Sequence, residues 1–335
     1  MTTYMFYPGC SLQRSARPYL DSLMAIAGPI GLEMVEIPDW NCCGATEYVS
    51  VHHLAAHALV GRNLALAAAQ ADGTRTVMAA CSACYLNLAR TDSYMQEDAD
   101  LNAQVNDALS AGGLSYKPGS VRVRHLLDII VNDIGLDVVR SKVVKPLKGL
   151  RIAPYYGCMI ARPDRSNRWD NVEHPVALDR LMKAIGVEVV DYPMKTHCCG
   201  GHMTQINAPA AYELIRRLVH GAAEYEADAL VTLCPMCQLN LDAYQAEMNR
   251  FFRTNYRMPV LYFTQLMGLA FGATPEALGL GREFVDSRPA LSRIGVELPA
   301  SEAEVETAAA RASRKKAAKE GLPMPSMPGD EEVSE

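Results

Sequence analysis

Short apolar runs and longer stretches of mixed polarity alternate along the chain, twice in the same order. Residues 4–7 and 150–155 are mostly apolar and of strand length, as expected for strands buried on both faces. Each precedes a stretch, 18–30 and 175–185, whose apolar positions fit a helix. Second strands are expected at 33–37 and 188–192, long helices at 51–70 and 208–226, and third strands at 76–80 and 229–233. Another helix follows each third strand, and the apolar stretches 123–134 and 260–271 read as helices closing each half. Strands alternating with helices predict an α/β fold of parallel sheets flanked by helices. The stretch 140–149, with Lys142, Lys145, Pro146 and Lys148, reads as the connector between halves. The expected organisation is a first domain over 1–140, a second over 150–290, and a C-terminal extension over 291–335, read as a frayed helix and a partly disordered tail.

The 335 residues suffice for two ordinary cores, and 49% hydrophobic with 21% charged residues is the balance of a globular chain. A net charge of −6 argues against a nucleic-acid partner, which selects a basic face. No apolar run reaches the roughly 18 residues of a membrane helix; the most apolar stretch, 266–273, is short and soon meets Pro275. The first ten residues lack the basic flank and apolar region of a signal peptide, so a cytoplasmic location is expected. In that compartment ten cysteines point to metal or redox chemistry rather than to disulfides.

Those cysteines are written twice. Cys10, Cys42, Cys43, Cys81 and Cys84 follow C-x31-CCG-x36-CxxC; Cys158, Cys198, Cys199, Cys234 and Cys237 follow C-x39-CCG-x33-CxxC. The flanks repeat too: Tyr7-Pro8-Gly9-Cys10 matches Tyr155-Tyr156-Gly157-Cys158, and Cys81 to Leu88 matches Cys234 to Leu241, Asn87 falling on Asn240. All three groups of each half fall at predicted strand ends, where α/β folds place their sites. One sheet edge then gathers five thiols. A mononuclear zinc site needs four thiolates; it leaves one cysteine over and handles the adjacent pair poorly. A cluster of several irons uses five thiolates more naturally. Gly44 and Gly200-Gly201 follow the paired cysteines, where backbone approaches the metal closely or forms a plain turn.

The doubled pattern resembles the cysteine-rich CCG domain, and its two-copy form resembles the B-type subunit of heterodisulfide reductase and its bacterial relatives, over residues 1 to about 285. The resemblance implies two pseudo-twofold related CCG domains and two noncubane [4Fe-4S] clusters. The first would be held by Cys10, Cys42, Cys43, Cys81 and Cys84, the second by Cys158, Cys198, Cys199, Cys234 and Cys237, with one cluster plus one zinc as the alternative. It also implies a disulfide or protein-bound thiol substrate, split or formed between the clusters. The same domain occurs in iron–sulfur electron-transfer or anchoring subunits of flavin dehydrogenases for succinate, lactate or glycolate, which is the second function expected. The chain has no ferredoxin-type cysteine run and no flavin motif. With the resemblance, that points to a ferredoxin-like iron–sulfur subunit and a flavoprotein as partners.

Among other residues, His202 lies three positions after Cys199 and is the candidate for moving a proton to or from a thiol, or else faces solvent. The same choice holds for His197. His52, His53 and His57 read as surface or packing residues; Arg14 and Arg17, after Cys10, read as surface charge or else as contacts for an anionic substrate or for cluster charge. Residues 301–335 carry 5 basic and 8 acidic side chains and few large apolar ones, too few to bury a core. Truncation after Ala300 is therefore expected to leave metal and sulfide content unchanged; loss of metal on truncation, measured by elemental analysis, would show that the tail covers a site.

Overall fold

A computed structural model describes residues 3–45, 48–71, 75–161 and 169–298. The expected C-terminal extension lies outside the described residues from 299 onward. The first half runs β1 (Thr3–Tyr7), α1 (Gly9–Gln13), α2 (Arg17–Ile30), β2 (Glu33–Glu36), α3 (Tyr48–Val51), α4 (His53–Gln70), β3 (Thr76–Ala79), α5 (Ser82–Glu97), α6 (Ala99–Ser110), β4 (Arg122–His125) and α7 (Leu126–Asp128). A π-type stretch, Ile129–Gly135, and α8 (Leu136–Lys142) lead out of it. The second half repeats the order with β5 (Arg151–Tyr155), α9 (Gly157–Ala161), α10 (Ala177–Ala184), β6 (Glu188–Val189), α11 (Met203–Ile206), α12 (Ala208–Glu224), β7 (Ala229–Thr232), α13 (Pro235–Ala243), α14 (Gln245–Phe252), β8 (Val260–Tyr262) and α15 (Phe263–Ala270); α16 (Arg288–Ser292) follows.

Local chemistry sets several boundaries. Pro18 opens α2 and Gly31, at φ 68°, stops it. Asp98 accepts the Asp100 and Leu101 N–H groups to start α6, and Asn207 accepts Ala210 N–H to start α12. One sequence expectation is corrected. Stretches 123–134 and 260–271 are not helical from their start: Arg122–His125 and Val260–Tyr262 are strands, and helix begins only after them. Val260–Tyr262 is apolar without alternation and period cannot separate it from a buried helix, while Arg122–His125, with Val123 as its one apolar residue, is too short to show a period.

Both sheets are parallel, with orders β2-β1-β3-β4 and β6-β5-β7-β8. In each, the chain leaves the two central strands toward opposite edges. That creates a crevice at their carboxyl ends, the usual place for a ligand in such sheets. The crevice of the first sheet lies between the ends of β1 and β3, and that of the second between the ends of β5 and β7. Those four ends run into Cys10, Cys81, Cys158 and Cys234.

Across the two halves, α5 packs on α9 while α13 packs on α1, and α2 packs on α15 while α10 packs on α7. Elements α1, α2, α5 and α7 occupy the places that α9, α10, α13 and α15 occupy in the second half. Each cross contact therefore has a counterpart with roles exchanged, as a twofold relation requires. The seam is tightly packed: Tyr19 stacks on Tyr262 with ring centres 4.4 Å apart, Phe263 meets it edge-on at 6.0 Å, and Ser22 Oγ bonds Thr264 Oγ1 at 2.7 Å.

The segment after α15 straps the second half and reaches the first. A Cβ on Gly279 would stand 2.8 Å from Pro18, and Leu291 and Ile294 are buried. Asp242 holds the strap by accepting the Phe284 and Val285 N–H groups at 2.9 Å each. Burial pushes the Asp242 carboxyl up from 3.8 to about 6. The folded chain thus takes this proton more readily than the unfolded one. The stability gained is complete below pH 4 and lost as pH rises through 6, about 3 kcal/mol in all. Asp242→Asn is expected to be less stable at pH 5, because Asn cannot accept from both N–H groups, and to lose less stability than the native chain between pH 5 and 7. Denaturant midpoints at both pH values test this; equal pH slopes would refute it.

Candidate metal centre

The first five cysteines converge from three loops. Cys10 Sγ lies 3.6 Å from Cys42 Sγ and Cys43 Sγ lies 3.5 Å from Cys84 Sγ; Cys42 also bonds Cys43, and Cys81 bonds Cys84. In the second set Cys199 Sγ lies 3.6 Å from Cys237 Sγ, and Cys234 bonds Cys237. In the same half Cys158 is partly exposed and Cys198 exposed, matching exposed Cys10 and Cys42 in the first. Each set therefore has a wet outer face and a buried inner one. The inner faces meet: Cys81 bonds Cys234, its own counterpart, across the pseudo-twofold axis. Among the described residues no three His, Cys, Asp or Glu donors converge as around a single ion; the sulfurs sit instead in neighbouring pairs.

Proton sharing polarises those pairs. Hydrogen bonds from Cys10 and Cys43, with the Gly44 and Ala45 N–H groups, push the Cys42 thiol down to about 2, while Cys10 is pushed up. The bond to Cys42 pushes Cys43 up to about 12. Cys234 is held low by the Cys237 thiol and then the Cys81 thiol, helped by N–H groups at the start of α13. Cys237 is pushed up by its bonds to Cys199 and Cys234. Gly200 N–H donates to Cys198 Sγ at 3.3 Å and Gly201 N–H to Cys199 Sγ at 3.4 Å. Such N–H donors and helix starts favour anionic sulfur, the metal-binding form.

Two side chains in each half clamp the CCG turn. Tyr7 OH donates to Asn41 O at 2.6 Å, just before the first cysteine pair, and Tyr155 OH donates to His197 O at 2.7 Å before the second. Asn87 Nδ2 donates to Cys43 O at 3.1 Å and Asn240 Nδ2 to Cys199 O at 2.6 Å. Both tyrosine hydroxyls are pushed up by burial and by the surrounding cysteines. The repeated flanks already displayed all four residues, but neutral groups that bind only backbone carry no metal signature in sequence. Two glycines complete the cradle. A Cβ on Gly9 (φ 70°) would lie 2.9 Å from Cys84 Sγ, and one on Gly157 (φ 70°) 3.1 Å from Cys237 Sγ.

Whether these residues suit an iron–sulfur group is tested by the polar atoms left over. Ser82 Oγ, His125 Nε2 and Thr232 Oγ1 are buried without a hydrogen-bond partner. Ser82 follows Cys81, and Thr232 lies two residues before Cys234. Buried donors normally find acceptors, and sulfides and thiolates of a bound group would supply them. The residues fit.

Other expected residues separate cleanly. His202 is exposed and occupies the position before α11, beside its own CCG turn, without capping the helix through its side chain. His197 contributes its carbonyl, as above, and its side chain is exposed. His57 is buried against Thr91 at 2.9 Å and His53 at 3.2 Å, burial pushing it down to about 4; His52 caps α4. Arg17 pairs with Asp21 at 2.8 Å on the surface. Sequence reasoning missed His125, since nothing around it repeats.

Gly9→Ala should strip metal from the first set and Gly157→Ala from the second, each removing about half of the total, because both demand a left-handed backbone against sulfur. Gly28→Ala, whose Cβ meets nothing within 4 Å, should leave metal content unchanged. Full metal retention in Gly9→Ala would refute the cradle.

The cysteine-rich CCG domain matches residues 4–89 and 152–242. The chain is 34% identical to the 8-methylmenaquinol:fumarate reductase membrane anchor subunit of Wolinella succinogenes over 85% of its own length and 97% of that protein. It is 30% identical to the B-type subunit of the ferredoxin/F420H2-dependent CoB-CoM heterodisulfide reductase of Methanosarcina acetivorans, over 78% of this chain and 87% of that one. A protein of Archaeoglobus profundus that is itself like the heterodisulfide reductase B-type subunit is 26% identical over 82% of this chain and 93% of that one. A hypothetical protein from Helicobacter pylori shares the fold with a TM-score of 0.65 at 15% identity, covering 85% of this chain and 52% of that one. No helix among the described residues is long and apolar enough to cross a membrane. With two matched copies of the domain and relatives alike over most of their length, the chain belongs to the cysteine-rich CCG family, in the two-copy form of the heterodisulfide reductase B-type subunit.

Proposed function

We propose that this chain is the disulfide-handling redox subunit of a heterodisulfide-reductase-like complex. Two noncubane [4Fe-4S] clusters would be held by Cys10, Cys42, Cys43, Cys81 and Cys84 and by Cys158, Cys198, Cys199, Cys234 and Cys237. The observation that carries this reading is the contact of Cys81 with Cys234, which makes two five-cysteine sets one bipartite centre. Reducing a disulfide to two thiols takes two electrons and two protons, and iron–sulfur clusters supply single electrons and an iron that binds sulfur. Ten thiolates hold the pair in register, and Tyr7, Tyr155, Asn87 and Asn240 fix the CCG turns. Exposed Cys10, Cys42 and Cys198 mark the faces open to solvent. His202, exposed beside the second set, exchanges the proton of the thiol. Electrons come from a ferredoxin-like iron–sulfur subunit fed by a flavoprotein, in the cytoplasm. The reverse reaction joins two thiols, one of them carried on a protein, as in the oxidation of sulfur compounds.

A second reading is favoured by one comparison, the 34% identity to the fumarate reductase membrane anchor subunit over nearly all of that protein. There the chain is an electron-transfer or anchoring subunit of a flavin dehydrogenase, and one set holding zinc in place of a cluster is compatible with it. Cys43→Ser, Cys199→Ser and the double variant separate the two. Splitting a disulfide between two sites predicts that each single variant loses disulfide turnover and that the double variant is no worse, because the halves act as one unit. A single variant that has lost its cluster and keeps full disulfide turnover in the assembled complex would end the two-site reading.

A further inference from the structure

Tyr19, on α2, is fully buried in the seam. Its hydroxyl lies 3.0 Å from Ala80 O and 3.4 Å from Leu233 O. Burial keeps the hydroxyl protonated, so one proton is shared between two acceptors in a three-centre bond. The position of those carbonyls matters. Ala80 stands directly before Cys81, and Leu233 directly before Cys234. One hydroxyl therefore ties the peptide that leads into an inner cysteine of the first set to the peptide that leads into its counterpart in the second.

That hydroxyl has little freedom to move. The Tyr19 ring stacks on Tyr262 at 4.4 Å with the planes 7° apart, and Phe263 meets it edge-on, so a side chain of the first half is gripped by the second. The His125 ring also leans on both carbonyls, but its Nε2 stays outside hydrogen-bond geometry; the Tyr19 hydroxyl is the donor that reaches them. The two carbonyls are counterparts. A group that bonds both lies near the pseudo-twofold axis, where only one copy can supply it.

A disulfide shared between two centres imposes a spacing. Its sulfurs are about 2.0 Å apart before cleavage, and each must reach the metal of its own set. A displacement of about 1 Å in such an arrangement costs roughly a hundredfold in rate. We propose that Tyr19 is a positioning residue whose hydroxyl fixes the separation of the two centres by holding the Ala80 and Leu233 carbonyls on one donor. It acts through Cys81 and Cys234 rather than on the substrate. This rests on reading both sets as iron–sulfur sites that share one disulfide.

The test is Tyr19→Phe in the assembled complex, which removes the oxygen and keeps the ring in its stack. Iron and sulfide content are matched to the native protein, both centres are reduced to a paramagnetic state, and their mutual spin–spin splitting is read by electron paramagnetic resonance. The resolved splitting of the native protein is lost in Tyr19→Phe, because the centres take a spread of separations, and disulfide kcat falls by up to about a hundredfold. Two controls keep the native splitting. Tyr192→Phe removes a similarly buried hydroxyl that donates to Leu218 O at 2.8 Å, and Thr264→Val breaks the bond to Ser22 across the same seam. Native splitting in Tyr19→Phe, an equal loss in either control, or iron missing from Tyr19→Phe would each overturn the assignment, the last because a tie outside the cradles does not hold metal. Lost splitting with native disulfide turnover would overturn the two-site function and leave the role of Tyr19 standing. A native complex without splitting would overturn both.

Discussion

Five thiols pressed into one crevice cannot all ionise on their own, because each added negative charge raises the energy of the rest. The fold answers with whatever positive density a backbone offers: N–H groups of the CCG turns and the first turns of helices that begin at Cys81 and Cys234. These favour one thiolate in a bonded pair and leave its neighbour protonated, as at Cys42 and Cys10. Full ionisation needs a compensating cation, which a bound metal would supply. Strand order follows from the same demand, since only the crevice between β1 and β3, or β5 and β7, receives loops from three directions at once.

Much of this was legible in the sequence because it is written twice. The cysteine spacing, the parallel α/β order and the grouping of five thiols at strand ends all follow from repetition and period. The strands Arg122–His125 and Val260–Tyr262 were not, because three or four residues are too few to carry a period of their own, and only the second of the two is apolar. The clamps at Tyr7, Tyr155, Asn87 and Asn240 were visible as repeated letters, yet their targets are carbonyls, which every residue has. His125 was invisible for the opposite reason: its counterpart is Tyr262, so repetition does not mark it.

Duplication alone would give two equal centres. The differences lie in what each copy changed around a fixed cysteine frame. Position 39 is an aspartate held by Arg62, whereas position 195, at the same distance from its CCG, is a buried lysine bonded to Asp179 at 3.2 Å. The chain is similar over most of its length to two kinds of protein, an anchor subunit of a fumarate reductase and a subunit of a heterodisulfide reductase.

The stacked pair of Tyr19 and Tyr262 has a consequence for how the protein fails. The two rings stack on each other across the seam and both are buried, and Tyr19 also holds the carbonyls preceding both inner cysteines. Fraying of either copy therefore wets the seam and loosens the partner's inner thiols together with its own. The two copies are then expected to unfold as one cooperative unit, whereas a change confined to one crevice, which leaves the seam packed, acts on its own set.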